Sequence, residues 1–419
     1  MVIIKYKKLI QNNSVIFQNL TYITLLELFV TVSPLITYPY LIKTLGYELY
    51  GLVITAQVIA SYAVILVDFG FRSISAKDIS IHRNDKNKLS EIISSIFIIR
   101  SILWIGSFIV YYFVISIIPI YNKHLVLFLF AFGATFNDLL FPQFYFQGIE
   151  KMKFITFINI GINSIFILLI FLFIKNKTDY YLVPLFKSIG FFIGGLISMF
   201  IIFFIHKIKF TVPKFCVLKA YIKEALPIFS TKIITSIKDK FSYILLGSLI
   251  GMDEVVIYDL GAKLTAILVK PATILSRVLL PKIAKEKNIK LFKKTLLGIA
   301  VIIVLIILII NLLLPFIVKF FLSDTIDLLP LRIFLLAPLF LSLSSFIASC
   351  NIIAFGYYRY ILYSIIITTI VYLGSTGIFY ILNGLNSILT FILITVTAYF
   401  AELIYRLYIS QKIINKYGI

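Results

Sequence analysis

Three basic residues stand out in a stretch that is otherwise apolar. Lys263, Lys270 and Arg277 are spaced seven apart. At 3.6 residues per turn each step of seven drifts only about 20°, so on a helix all three share one stripe. Fourteen residues at 1.5 Å rise make that stripe about 21 Å long. Its chemistry is countercharge for an anion such as a phosphate or an acidic sugar. The competing use is internal ion pairing: Asp259 precedes Lys263 by four residues and can pair with it across one turn. A second charged stretch, TKIITSIKDKFS over Thr231–Ser242, holds Lys232, Lys238, Asp239 and Lys240. Lys232 and Asp239 are again seven apart, and one or two of these charges would equally suit an interface. Arg100, Lys187, Arg332 and Arg406 are further cations within apolar runs, as are the acids Glu27, Asp68, Asp138 and Glu402.

The elements that carry these charges must be membrane helices. Of 419 residues, 61% are hydrophobic and 14% charged, against roughly 45–50% and about 25% in soluble domains. The mean hydropathy is +1.05. A water-soluble fold could not cover that much apolar surface. Twelve apolar stretches run over 17–40, 50–70, 93–117, 125–147, 155–174, 181–205, 225–250, 255–281, 295–318, 328–354, 360–382 and 386–409, each close to the roughly 20 residues that span a bilayer. The seventh and eighth are the most polar. If both were peripheral the count would be ten, but FSYILLGSLIG and VVIYDLGAKLTAILV are apolar enough to line a cavity. The start, MVIIKYKKLIQNN, is basic and lacks a small-residue cleavage site, so it does not read as a removed signal peptide.

The chain has 39 Lys and Arg against 18 Asp and Glu, a net charge of +21. In a soluble protein that would point to nucleic acid; here cytoplasmic loops account for it. With the N-terminus inside, 24 loop cations fall inside and five (Lys43, Lys123, Lys175, Lys177, Lys319) outside. Both ends are therefore expected in the cytoplasm. A charge facing lipid at mid-depth costs a few kcal/mol or more, so the ten cations left within spans should line a polar path, pair internally or, near span ends such as Arg332 and Arg406, snorkel. The intramembrane acids are candidates for ion coupling, chiefly Glu27, Asp68, Asp138 and Asp259. Pro271 directly follows Lys270; its missing donor can bend the helix there. Cys216 and Cys350 form no pair motif, and His82, His124 and His206 are scattered, so neither a metal nor a cofactor is expected.

Leu45-Gly46-Tyr47-Glu48 and Ile250-Gly251-Met252-Asp253-Glu254 precede the second and eighth spans at an offset of 205. A repeat of that size divides the chain into two six-span halves, 1–210 and 211–419, with a site between them as in many transporters. Asp68-Phe69-Gly70 has the letters of a kinase metal-binding triplet but none of its companions. Gly190 and Gly194 form a GxxxG that suits close helix packing. Tyr38, Tyr40, Tyr47 and Tyr50 fit an interfacial belt.

Several blocks together resemble the Wzx-type O-antigen flippases. Tyr38-Pro39-Tyr40-Leu41-Ile42-Lys43-Thr44-Leu45-Gly46-Tyr47-Glu48-Leu49-Tyr50-Gly51 resembles that family's first signature block, and Val67-Asp68-Phe69-Gly70-Phe71 its second. Pro142-Gln143-Phe144-Tyr145-Phe146-Gln147-Gly148-Ile149-Glu150-Lys151-Met152 resembles the third, without the Trp that many members have near it. Ile257-Tyr258-Asp259-Leu260-Gly261-Ala262-Lys263-Leu264 resembles the block opening the eighth span. The resemblance covers nearly the whole chain. It implies an all-α integral membrane protein of the MOP superfamily, with about 12 helices in two six-helix bundles around a central cationic cavity. It implies alternating access that moves an undecaprenyl-diphosphate-linked repeat unit across the bacterial inner membrane. Membrane lipids and the polysaccharide polymerase machinery are the implied partners, with no nucleic acid. The cations that would face such a cargo are Lys263, Lys270, Arg277, Lys232, Lys238, Lys240, Arg100 and Lys187.

The rival reading is an enzyme, a membrane polysaccharide polymerase or ligase. Such proteins commonly carry a large outer loop with catalytic residues; here the first outer loop is short with one acid, Glu48. The charge asymmetry makes a direct prediction. A single cysteine at Asn176 should react with an impermeant reagent applied from outside, and one at Asn288 should not. The reverse pattern would overturn the orientation.

Overall fold

The computed structural model describes residues 14–322 and 326–416. The reading of the first thirteen residues, including Lys5, Lys7 and Lys8, lies outside them. Every regular element among the described residues is helical, and sixteen are α-helices of five or more residues. In chain order these are α1 (Ser14–Leu45), α2 (Tyr47–Asp68), α3 (Phe71–Ile81), α4 (Lys86–Ile117), α5 (Leu125–Phe132), α6 (Phe136–Leu140), α7 (Gln143–Gly148), α8 (Met152–Phe173), α9 (Leu182–Phe200), α10 (Phe215–Leu249), α11 (Met252–Glu286), α12 (Ile289–Leu322), α13 (Leu329–Phe334), α14 (Ala337–Ile347), α15 (Arg359–Ile381) and α16 (Ile388–Lys416).

Among the described residues, eleven helical stretches are long and apolar enough to cross a membrane. The twelfth expected span falls on α10. It is a continuous helix of 35 residues, about 52 Å at 1.5 Å rise, so length is no obstacle. Its charges from Lys219 to Lys240 keep it from reading as a lipid-facing span. The helices turn apolar surface outward, as lipid allows: along α12, Leu297, Val301, Leu305, Leu308, Leu312 and Phe316 are all exposed. Polar groups turn inward, and Asp68, Arg100, Asp138, Lys238, Asp259, Glu402 and Arg406 are all buried.

The chain forms two compact units. The first comprises residues 1–46 and 56–232, the second 47–55 and 233–419. In the first, α8 packs against α1 and α9, α9 against α5 and α6, and α3 against α7. Its buried cluster includes Phe71, Ile74, Ile79, Ile92, Ile96, Phe144 and Phe146. The GxxxG on α9 serves packing: a Cβ at Gly190 would lie 2.9 Å and one at Gly194 2.4 Å from Ile162 side-chain atoms of α8. In the second unit, α11 and α12 pack on α14, and α16 on α14 and α15.

The two glycines of the internal repeat occupy matching places. Gly46 (φ 79°) and Gly251 each stand immediately before a helix, at the N-termini of α2 and α11. α11 continues unbroken through Pro271 and Pro281. Within the second unit α2 approaches α11 so closely that a Cβ at Gly51 would fall 1.7 Å from the Met252 carbonyl oxygen. Backbone cannot yield as a side chain can. Gly51→Ala should therefore cost about 2 kcal/mol or more, seen as a lower melting temperature and lower abundance in detergent. Gly298→Ala, in open space on α12, should leave both unchanged or slightly raised, because Ala favours the helix by about 0.5–1 kcal/mol.

Candidate functional site

Two charged clusters and one cavity gather most of the residues singled out from sequence. The first cluster, in the N-terminal unit, centres on Asp68. This is the last residue of α2, and the chain reverses immediately after it: Phe69 (φ 46°) and Gly70 (φ 86°) are both left-handed. Gly70 is required here twice over, because a Cβ would also lie 2.9 Å from Ile228. Phe69 stacks on Phe229 with ring centroids 4.3 Å apart. The turn fixes where α2 ends and brings Arg72, on the first turn of α3, near its own partner.

Arg100 of α4 donates from Nη2 to Asp68 Oδ1 at 2.8 Å and from Nη1 to the Asp138 carbonyl at 2.6 Å. The Lys232 ammonium of α10 donates to Asp68 Oδ2. Arg72 donates to Asp138 Oδ1 at 2.8 Å. Three cations thus hold two carboxylates, an excess of one positive charge. The Arg100 guanidinium also lies 5.1 Å from the centre of the Phe144 ring, and its Nε is buried without a hydrogen-bond partner among the described residues. Arg100, Lys232, Asp68 and Asp138, distant in sequence, are therefore one network; Arg72 is its member that loop counting hid.

Lys187 of α9 stands differently. Its ammonium donates to Asn163 Oδ1 at 2.5 Å and lies over the rings of Phe166 (4.9 Å) and Phe191 (5.3 Å). No carboxylate pairs with it among the described residues. Glu27 is half-buried on α1, where its backbone carbonyl accepts from the Thr31 hydroxyl at 2.6 Å.

The second cluster lies in the C-terminal unit. Lys238 donates to Asp239 Oδ1 at 2.8 Å and approaches Glu402 Oε2 at 3.9 Å. Glu402 pairs with Arg406, one turn on, at 2.8 Å and accepts from Ser344 and Thr368 hydroxyls at 3.2 Å. Arg406 further donates to Ser364 Oγ at 3.1 Å and Ser344 Oγ at 2.9 Å. Arg406 is buried rather than snorkelling, because this carboxylate and these hydroxyls accept its donors. Lys240 is half-buried beside Asp239. On α11, Lys263 pairs with Asp259, as their four-residue spacing allows, and Asp259 Oδ1 also accepts from Tyr243 at 3.3 Å.

A cavity of about 440 Å³ lies within this unit. Lys270 and Arg277 line it, together with Asp239, Tyr258, Thr265, Tyr399 and Phe334. The seven-residue stripe thus divides: Lys263 is held by its own helix, and the other two cations reach the cavity. The Lys270 carbonyl, beside Pro271, accepts from the Thr273 hydroxyl at 2.8 Å. Tyr258 and Tyr399 are on the wall with no spacing that could announce them. Of the histidines, His124 bonds the Tyr180 hydroxyl and His206 the Tyr145 hydroxyl, each at 2.9 Å. Partial burial, with Lys151 and Lys86 nearby, holds the His206 imidazole below its usual pKa. Among the described residues no group of three or more His, Cys, Asp or Glu could hold a metal ion.

The fold is that of the MATE transporters of the MOP superfamily. An inward-facing multidrug-resistance MATE transporter superposes with a TM-score of 0.68 at 14% identity, over 92% of this chain and 96% of that one. A Vibrio cholerae MATE transporter gives 0.61 at 12% identity, over 95% and 97%. The family model described as polysaccharide biosynthesis protein matches residues 16–287, and the chain belongs to that family. Among curated relatives, a protein of Escherichia coli K12 named "Putative O-antigen transporter" is 28% identical over 185 residues, 44% of this chain and 45% of that one. One of the same name from Shigella dysenteriae is 25% identical over 248 residues, 55% and 58%. The chain spans about half the length of the curated relatives it matches.

The network around Asp68 yields a prediction. Removing one partner of a buried pair strands the other and costs about 3–5 kcal/mol. Asp68→Asn takes the carboxylate from both Arg100 and Lys232 and should sharply lower abundance and thermal stability in detergent, whereas Arg100→Ala, which leaves Asp68 paired with Lys232, should cost less. Wild-type stability in Asp68→Asn would show that this network does not hold the unit together.

Proposed function

We propose that the protein is a flippase, which carries undecaprenyl-diphosphate-linked O-antigen or polysaccharide repeat units from the cytoplasmic to the periplasmic leaflet of the bacterial inner membrane. The observation that carries this reading is a cavity walled by Lys270 and Arg277 in a polysaccharide-biosynthesis-family chain with a transporter fold. A diphosphate crossing hydrocarbon needs countercharge where water is scarce, and its glycan needs a polar path. Lys270 and Arg277 would supply the first, and the Tyr, Thr and Asp side chains of the same wall the second. The remaining cations on Lys263, Lys238, Lys240, Lys232, Arg100 and Lys187 would set the positive potential of the path.

Alternating access of two six-helix halves, 1–210 and 211–419, would carry the cargo. The coupling carboxylate would be one of Glu27, Asp68, Asp138 and Asp259. Asp68 holds Arg100 and Lys232, and Asp138 holds Arg72, so an event at either carboxylate would change how cations are held where an anionic cargo can use them. Both termini would lie in the cytoplasm.

Glycan display divided by protein in the membrane is the deciding measurement. Lys270→Ala should abolish display at normal abundance, and Lys270→Arg should retain part of it, since charge survives while geometry changes. Unpolymerised lipid-linked repeat units should accumulate on the cytoplasmic face. Near-normal display per molecule in Lys270→Ala would remove Lys270 from the transport path, and sugar transfer by the purified protein would replace transport with catalysis.

A further inference from the structure

The cavity wall holds an acid as well as two cations, and diphosphate recognition alone does not account for it. Asp239 accepts from Lys238 at 2.8 Å and from Tyr399 at 3.3 Å, and both bonds fall on Oδ1. The Asp239 side chain is 39% exposed and lines the cavity. Thr265 lines the same cavity and is buried, and its hydroxyl has no hydrogen-bond partner among the described residues. This is unusual for its helix. Thr273 returns its hydroxyl to the Lys270 carbonyl at 2.8 Å and Ser276 to that of Ala272 at 2.7 Å, the ordinary recourse of such residues in apolar surroundings. A buried hydroxyl left unsatisfied is costly and marks a place where a ligand or a water completes the bonding.

We propose that Asp239 and Thr265 form a sugar-hydroxyl subsite, which orients the first ring of the glycan while Lys270 and Arg277 hold its phosphates. This deepens the transport reading and rests on it. A phosphate only accepts hydrogen bonds at neutral pH and is repelled by a carboxylate; a sugar hydroxyl donates to one. Asp239 therefore rejects the end of the cargo that Lys270 and Arg277 attract, and the wall reads direction as well as charge. Tyr258 and Phe334 also line the cavity and would give the ring an apolar contact; their rings are tilted by 46° at 5.0 Å, and the Tyr258 hydroxyl is bonded to Thr395 at 2.9 Å. At about 440 Å³ the space falls in the range of small-molecule sites, roughly 300–1,000 Å³. It suits a sugar and its phosphates rather than a whole repeat unit with its lipid.

The test uses purified full-length protein and two probes, geranyl diphosphate and geranyl-diphosphate-linked N-acetylglucosamine, titrated by calorimetry. Wild type should prefer the sugar-bearing probe by about tenfold, the effect of one or two hydrogen bonds. Thr265→Val, which replaces only the hydroxyl, should cut that preference to below about threefold and leave the bare diphosphate affinity within twofold. Asp239→Asn should also cut the preference, by weakening the acceptor and by tightening the bare diphosphate once the repelling charge is gone. Lys270→Ala should weaken both probes alike. A full preference surviving in both Thr265→Val and Asp239→Asn, with Lys270→Ala still damaging, would overturn the subsite and leave the transport reading standing. Wild type binding neither probe would overturn the transport reading, and the subsite with it.

Discussion

A charge buried among apolar helices must carry its neutralising partner with it, and the interior of this protein is arranged around that requirement. Asp68 is held by Arg100 and Lys232, Asp138 by Arg72, and Glu402 by Arg406 with Lys238 nearby. The pairs on Asp68 and Asp138 tie together helices that lipid alone would let slide, since apolar faces slipping over one another lose little in hydrocarbon. In the N-terminal unit this makes Asp68 a junction of α2, α4 and α10. The left-handed turn at Phe69 and Gly70 is part of the same device, because it ends α2 where the carboxylate must stand.

The cations of the second unit differ in where they stand. Lys263 is held by Asp259 one turn away, and Arg406 by Glu402 in the same way. Lys270 and Arg277, two and four turns further along α11 than Lys263, border open space. One helix thus carries a structural cation at one end of its stripe and cavity-lining ones along the rest. Asp239 has both roles, paired with Lys238 and still partly exposed at the cavity wall.

What was legible in the sequence was whatever depends on local spacing. The helices show in their apolar runs, because lipid demands about 20 such residues whatever their partners are. The Asp259–Lys263 pair and the packing role of Gly190 and Gly194 follow from positions on one helix. The repeat at Gly46 and Gly251 shows because each glycine begins a helix. Pairings between distant helices were not legible. Asp68 and Arg100 are 32 residues apart and Asp68 and Lys232 are 164 apart, and nothing in either neighbourhood names the other. Arg406 looked like a span-end residue because its acceptors, Ser344 and Ser364, come from other helices. Tyr399 and Thr265 reach the cavity through tertiary packing, and an isolated Tyr or Thr in an apolar run carries no mark of that.

The segment between α9 and α10 has a bearing on how the gene can be divided. Two serines of α4 fasten it: the Lys209 amide donates to Ser90 Oγ at 3.1 Å and the Thr211 amide to Ser94 Oγ at 2.9 Å. The first half of α10, through Lys232, then belongs to the N-terminal unit. A fragment ending in this visible loop would lose eighteen residues of its own fold and, with Lys232, one of the two cations on Asp68. The C-terminal boundary of the N-terminal unit is therefore inside an unbroken helix, just after Lys232, and not at the loop.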